Sequence, residues 1–415
     1  MIFNDHIIKT QYNGYGGSER KMAVIMDDRQ QYLLKFPDPT RDVNNNISYI
    51  NNAISEHLSC EIFKSIGIPV QETILGEYTD DKGVTKIVCA CKDVRMPGEE
   101  MCEIGNVLSG INTDDNSRHK LTFEYMDKVF NSMPQVIPKE QISDFYYDMF
   151  VVDALIGNTD RHNGNWAILQ SMDGARISPV YDCGSSLCPL LDDKFLSEEQ
   201  GAKEALKANS ALSDSNGKRI RYFDYFKGDL KPQIQEALKR IVPKINLNEI
   251  LRMINSAKYV SRERKDFSSS FIMTSYERIL IPALEKTLSK GCEKMDINHT
   301  ECYDFYKNII KPLKESALYE NQSLDKFGFP EYSYSKAGNS HILLYKGDKL
   351  LNLISTRSND RETRINYSKI VKAGINVELF YENSRKYQSE RQKELNQNLQ
   401  IERPFEDIED INNTR

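Results

Sequence analysis

Cysteine and histidine are too few and too scattered in this chain to build a metal centre from them. Cys89 and Cys91 would share one face of a strand, which is too few ligands alone, and Cys60, Cys102, Cys183, Cys188, Cys292 and Cys302 show no ligand spacing, so buried, reduced thiols are expected. The six histidines are equally dispersed, and only His162 lies within a motif. Long apolar runs are missing as well: none spans a bilayer, and Met1-Ile2-Phe3-Asn4-Asp5 lacks the charged and apolar regions of a signal peptide. The expectation is a cytoplasmic protein with no membrane partner, although secretion by a route that reads no N-terminal signal stays open. Positive charge is not in excess either, because a net charge of -6 gives no general attraction for nucleic acid or an anionic membrane.

What is present points elsewhere. The chain has 415 residues, 39% of them hydrophobic, which is enough for more than one core. Its most informative stretch is Asn158-Thr159-Asp160-Arg161-His162-Asn163-Gly164-Asn165-Trp166, followed by Pro179-Val180-Tyr181-Asp182-Cys183-Gly184. Asp160 precedes Asn165 by the interval that separates a catalytic-loop base from a magnesium-binding Asn in phosphotransferases, and Asp182 stands where a second, chelating Asp is needed. Magnesium takes one or two protein oxygens together with phosphate oxygens and water, so Asn165 and Asp182 suffice as ligands and Asp160 is left to face an acceptor hydroxyl. The bland alternative is an Asp-rich turn with local side-chain hydrogen bonds. Against it stands the frame, with an apolar, buried element over 145–156 and short strands over 166–169 and 177–181 across the turn Met172-Asp173-Gly174. Buried elements on both sides are what a site needs to hold geometry.

With Asp160-Arg161-His162, Asn165, Tyr181-Asp182 and the upstream segments Ser55-Glu56 and Val70-Gln71-Glu72-Thr73, the chain resembles the HipA-like serine/threonine kinases, including their shorter CtkA-like branch. The resemblance covers about 1–290. It implies a bilobal α+β fold related to protein and phosphoinositide kinases, and a reaction that uses ATP and magnesium on a protein substrate. HipA-like toxins carry an additional N-terminal domain, which is not expected here.

That resemblance asks for a loop over the phosphates and a lysine. Gly14, Gly16 and Gly17, with Ser18 beside them, supply a Gly-rich turn whose backbone N–H groups could approach phosphate oxygens, and Ser18 is a candidate modification site because the family shares a regulated phosphate loop. The next strand, Tyr32-Leu33-Leu34-Lys35-Phe36-Pro37, buries a lone Lys35, which needs an anionic partner unless the strand is an edge with its Lys in water. A helix over 48–66 carries Ile50, Ile54, Leu58, Ile62 and Ile66 on one stripe, stops at Gly67, and offers Glu56 or Glu61; the resemblance runs through Glu56. Strands over 72–78 and 86–91 follow, and in the kinase reading backbone near Ala90, Cys91 and Asp93 would meet the adenine. His162 is read as bracing the catalytic loop, since Asp160 fills the role of base.

The remainder divides into a polar stretch over 191–221 in the position of an activation segment, in which Lys218, Arg219 and Arg221 could hold an acidic or phosphorylated group, although an ordinary mobile loop is the preferred reading, and helices over 230–241 capped by Asp229, 245–257 and 271–288 kinked at Pro282. Domains are expected over 1–95 (covering the nucleotide), 96–295 (catalytic and metal-binding loops) and 296–400 (a small α/β module), with an acidic tail over 401–415 around Glu402, Glu406, Asp407, Glu409 and Asp410. In the module, a helix over 304–319, strands over 331–334, 340–345 and 349–355, and a helix over 367–373 follow one another, with a polar, charged helix over 381–400 beyond. Gly338-Asn339-Ser340-His341 and Ala373-Gly374-Ile375 resemble HicA-like modules of RNA-binding character. Lys336, Lys346, Lys349, Arg357, Arg361, Arg364, Lys369 and Lys372 make nucleic-acid contact through 331–376 conceivable, against an ordinary solvated face. Two rivals to a protein kinase remain at this stage: a small-molecule kinase of aminoglycoside type, and a catalytically idle binding protein.

Overall fold

The computed structural model describes residues 1–11, 21–37, 51–109, 121–133, 137–289 and 296–401. The chain splits into two compact units, Met1–Thr287 and Leu288–Arg415.

The first unit begins with an antiparallel sheet of β1 (Ile7–Gln11), β2 (Lys21–Met26), β3 (Gln31–Lys35), β4 (Thr73–Thr79) and β5 (Thr85–Lys92) in the order β1-β2-β3-β5-β4. Phe3, Val24, Met26, Tyr32, Leu34, Phe36, Val88 and Ala90 form one apolar cluster on it. β3 lies between β2 and β5, so Lys35 is not on an edge; its neighbours across the strands are Lys21 and Cys89. The helix Asn52–Ser65 packs on β4 and β5. Ile54, Leu58, Ile62 and Ile66 make the expected buried stripe, and Glu56 and Ser59 are fully buried too, so a second side of the helix is covered as well. It stops as the sequence suggests: Gly67 has φ +81°, its N–H donates to Lys64 O (3.0 Å), and Ile68 N–H donates to Phe63 O (3.1 Å), a Schellman termination.

The second lobe of this unit is helical around Lys139–Ile156. Residues 149–156 are buried without a break, because other elements cover that helix all round. Trp166, Phe130, Tyr146, Tyr147, Phe150 and Tyr222 join an aromatic network beside it. A three-stranded sheet, β6 (Glu100–Glu103), β7 (Ala167–Ser171) and β8 (Gly174–Ile177), carries the motif loops at its ends. β8 therefore ends where a strand over 177–181 was expected to begin; 178–181 leave that sheet, and Val180 pairs with Val70 instead.

Other expectations are corrected. The stretch 191–221 is ordered structure, with the helix Glu198–Ala205 and a hairpin of β9 (Asn209–Ser213) and β10 (Arg219–Arg221). Asp229 caps nothing: the helix is Pro232–Ile241 after Lys231, and Asp229 pairs with Lys286 at 3.2 Å. The helix expected over 271–288 starts at Arg262 and passes through a π-type turn, Tyr276–Leu280, just before Pro282, which lets the ladder continue past a residue lacking an N–H.

In the second unit β11 (Gln322–Leu324), β12 (Phe329–Ala337), β13 (His341–Lys346) and β14 (Lys349–Ser355) form an antiparallel sheet in sequence order, and β11 had no counterpart among the expected strands. The helix Asp360–Lys372, capped by Asn359, starts well before 367. Lys369, expected on a basic surface, has no exposed area and donates to Leu353 O at 2.7 Å, and Lys346 pairs with Glu331 at 3.2 Å. The acidic tail beyond 401 lies outside the described residues. Among the described residues no helix is long and apolar enough to cross a membrane.

Gly157, which ends Lys139–Ile156 at φ +64°, is doubly constrained: its backbone is left-handed, and a Cβ there would sit 2.3 Å from Phe271 Cζ. Gly157→Ala should cost about 2 kcal/mol or more in urea unfolding followed by Trp166 fluorescence, and a change within error would show that the helix end is not fixed by this contact.

Candidate active site

The motif loop is tied down from beneath. Asp153, in the apolar helix that precedes the loop, is completely buried, and Arg161 is 5% exposed. Arg161 Nε donates to Asp153 Oδ2 at 3.0 Å and Nη2 to Oδ1 at 3.2 Å, a fork-to-fork ion pair. The same guanidinium donates from Nη1 to Asn165 O (2.9 Å) and Tyr181 O (2.6 Å), and from Nη2 to Cys183 Sγ (3.3 Å). One cation thus holds the main chain of both candidate metal-binding segments. Asn158 Nδ2 donates to Asp153 Oδ1 at 2.9 Å, and Asp160 N–H donates back to Asn158 Oδ1 at 3.0 Å, so the turn presents Asp160 in a fixed direction.

Above this base the expected residues converge. Lys35 Nζ donates to Glu56 Oε2 (2.9 Å) and to Asp182 Oδ1 (2.8 Å). Glu56 therefore stands at Lys35; Glu61 lies 3.9 Å from Lys64 on the same helix. Asp182 has φ +57°, a left-handed backbone that a residue other than glycine rarely adopts. Val180, two residues earlier, is anchored by Gln71 N–H donating to Val180 O (2.8 Å) and Val180 N–H donating to Pro69 O (2.9 Å). Gly184 passes so close that a Cβ would lie 3.2 Å from Glu56 Oε2. The buried Arg264 then secures the following turn by donating to Leu187 O and Cys188 O, each at 3.2 Å.

Asn165 Nδ2 donates to Asp160 O at 2.7 Å, which commits the amide nitrogen and leaves the amide oxygen as the group for a cation. His162 accepts from Gly164 N–H through Nδ1 at 3.0 Å, which puts a neutral ring's proton on Nε2, 3.9 Å from Asp160 Oδ2. Burial raises the Asp160 carboxyl above its ordinary value; the His162, Arg219 and Arg161 charges act against it, and the Asp182 charge acts with it. Asp182 goes the other way. Burial pushes it up, but the Lys35 ammonium and its hydrogen bond, with the charges of Arg161 and Lys21, hold it below the usual value while 41% of its side chain stays open to solvent. Two carboxylates are thereby driven apart in proton affinity, the pattern of an acid–base group beside a permanently charged one.

The hinge expectation is moved. Ala90 faces Leu34 and Ile74, and Cys91 faces Leu33 and Thr73, so both lie inside the sheet with neighbours on either side and offer no free edge to an adenine. Asp93 N–H donates to Gln31 O at 2.9 Å, and its carboxylate is forked to Arg95. Gly14, Gly16, Gly17 and Ser18 lie outside the described residues. Asp153 and the clamping role of Arg161 were missed in the sequence, though a lone carboxylate in an apolar run is itself a signal that a buried cation must meet it.

The residues 14–251 match the family model of the HipA-like C-terminal domain. The chain belongs to the HipA-like kinase family. It is 31% identical over 299 residues to the serine/threonine-protein kinase CtkA of Helicobacter pylori strain J99, a match that covers 70% of this chain and 90% of that relative. The crystal structure of the H. pylori proinflammatory kinase CtkA superposes with a TM-score of 0.61 at 28% identity, over 72% of this chain and 99% of that one. HipA of the Shewanella oneidensis toxin–antitoxin system, in its complex with HipB and operator DNA, matches at a TM-score of 0.41 and 14% identity, over 66% of this chain and 65% of that one. This HipA-like chain has the mixed helix and sheet, bilobal architecture of a kinase.

Asp153→Asn leaves Arg161 buried without its counter-charge and should cost about 3–5 kcal/mol in the Trp166-monitored urea transition. A loss below 1 kcal/mol would show that the pair does not organise the loop.

Proposed function

We propose that this HipA-like kinase is a serine/threonine protein kinase that uses ATP and magnesium. The observation that carries the reading is the single cluster in which Lys35 touches both Glu56 and Asp182 while Asp160 and Asn165 are fastened to the same Arg161-braced loop. The donor set fits a hard divalent cation. The Asp182 carboxylate and the Asn165 amide oxygen, whose amide nitrogen is committed to Asp160 O, would hold magnesium together with phosphate oxygens. When bound, the magnesium nucleotide supplies the γ-phosphoryl group and the charge neutralisation that its transfer requires.

The chain's own residues do the rest. Lys35, oriented by Glu56, contributes a positive charge beside Asp182 that phosphate oxygens can share. Asp160 would orient the acceptor hydroxyl and take its proton as the hydroxyl oxygen bonds to the γ-phosphorus and the bond from that phosphorus to the β–γ bridging oxygen breaks, ADP leaving; its raised proton affinity suits a general base that must gain a proton late in the reaction. His162 stands beside that carboxylate, with Nε2 3.9 Å from Oδ2. The H. pylori relative's name, serine/threonine-protein kinase, supports protein hydroxyls over a small-molecule acceptor. Autophosphorylation belongs to the same reading.

Purified protein incubated with magnesium and labelled ATP, alone and with cell lysate, should label Ser or Thr residues identifiable by mass spectrometry. Asp160→Asn should lower transfer by about 10²–10⁴-fold, and Asp182→Asn should abolish it. Because Asp160 is costlier to ionise in the fold than in the unfolded chain, Asp160→Asn should leave the unfolding midpoint equal or raised. Retained phosphorylation in both variants, or label only on small metabolites, overturns the assignment. Transfer should also rise with pH through an apparent pKa above the ordinary Asp value, belonging to the Asp160–Asp182 pair, since the base must be deprotonated to act. A limb at or below that value would contradict the raised carboxyl.

A further inference from the structure

The hairpin of β9 and β10 brings a cation to the edge of the motif loop. Arg219, at the start of β10, donates from Nη2 to Thr159 O, the carbonyl next to Asp160, and its charge is felt by the Asp160 carboxyl. It is exposed, and among the described residues it pairs with no carboxylate. Arg221, two residues on, is instead engaged by Asp224 at 3.3 Å. The hairpin is held where it is: Asp214 accepts from Lys218 N–H (2.9 Å) and Asn216 N–H (3.0 Å) across the turn, Ser213 N–H donates to Leu121 O (2.7 Å), and Tyr222 OH donates to Asn158 O (2.7 Å). Arg219 is thus a planar guanidinium on a braced element, with one of its five N–H donors used on the loop and the others directed outside that bond.

We propose that Arg219 selects the acceptor segment by binding an anionic side chain, a carboxylate or a phosphorylated residue, within about three positions of the Ser or Thr that receives phosphate. The distance argument is short. Thr159 O adjoins the residue that would meet the acceptor hydroxyl, and neighbouring residues of an extended peptide are about 3.8 Å apart between Cα atoms, so a side chain one to three positions away reaches a group hydrogen-bonded to that carbonyl. Within the hairpin, Arg219 is the cation bonded to the motif loop beside Asp160, whereas Lys218 lies in the turn and Arg221 is already paired with Asp224. A guanidinium fork favours carboxylate and phosphate over neutral groups, and that contact lies outside the Lys35, Asp160, Asn165 and Asp182 cluster.

The inference rests on the protein-kinase reading, and one experiment separates the two. The full chain is given magnesium, labelled ATP and a positional peptide array with a fixed Ser or Thr and Ala, Asp, Glu, phosphoserine or Lys at each of the three positions on either side. Wild type should prefer an anionic residue over Ala at one or more positions by about tenfold, as a charge-assisted contact gives. Arg219→Gln should reduce that ratio below about twofold, and Arg219→Glu should invert it toward Lys. Because each ratio compares two peptides on one protein, a general loss of turnover cancels. Asp and phosphoserine arms tell the carboxylate from the phosphate. Transfer with no anionic preference, or a preference that survives Arg219→Glu, overturns the role of Arg219 alone; no transfer to any peptide overturns the kinase reading and this inference with it.

Discussion

The buried ion pair between Asp153 and Arg161 is the constraint on which the site depends. Two charges removed from water gain little net stability unless every donor and acceptor is used, and here nearly all of them are: the carboxylate also accepts from Asn158, and the guanidinium also reaches two carbonyls and a thiol. The return on that arrangement is positional. A helix, the turn bearing Asp160 and Asn165, and the turn bearing Asp182 share one rigid cation, so none can shift by an ångström without breaking a buried hydrogen bond.

The second constraint is the shared lysine. Lys35 on a central strand, Glu56 on a helix and Asp182 on a strained turn link the sheet lobe to the helical lobe through charge, beside the backbone pairing of Val180 with Pro69 and Gln71. The left-handed backbone at Asp182 costs energy that the Val180 anchor and the close passage of Gly184 over Glu56 compensate. The electrostatics follow from the same placement: the Lys35 ammonium holds the Asp182 carboxyl below its usual value, while burial, with the Asp182 charge, leaves Asp160 with a raised proton affinity.

The sequence made the chemistry legible where spacing and chemistry coincide, as with Asp160, Asn165 and Asp182, and where a burial argument demanded a partner, as with Lys35. It was blind where geometry depends on tertiary context. The backbone at Ala90 and Cys91 looked free only because sequence does not reveal that β5 has neighbours on both sides, and the polar run 191–221 hid a helix and a hairpin whose apolar contacts are too sparse to give a period. Arg161 was quoted within a motif without its role, since its partner Asp153 lies in the preceding helix. Lys369 counted as surface charge until the fold buried it against Leu353 O.

The central claim is that Asp160, Asn165 and Asp182 converge on a magnesium nucleotide held at Lys35. The buried Trp166 adjoins Asn165 and is the sole tryptophan, so its fluorescence reports that event directly. Titration with magnesium and a non-hydrolysable ATP analogue should give a saturable change that requires the metal and weakens by about tenfold or more in Asp182→Asn. Equal affinity with and without magnesium, in wild type and variant alike, would contradict the account.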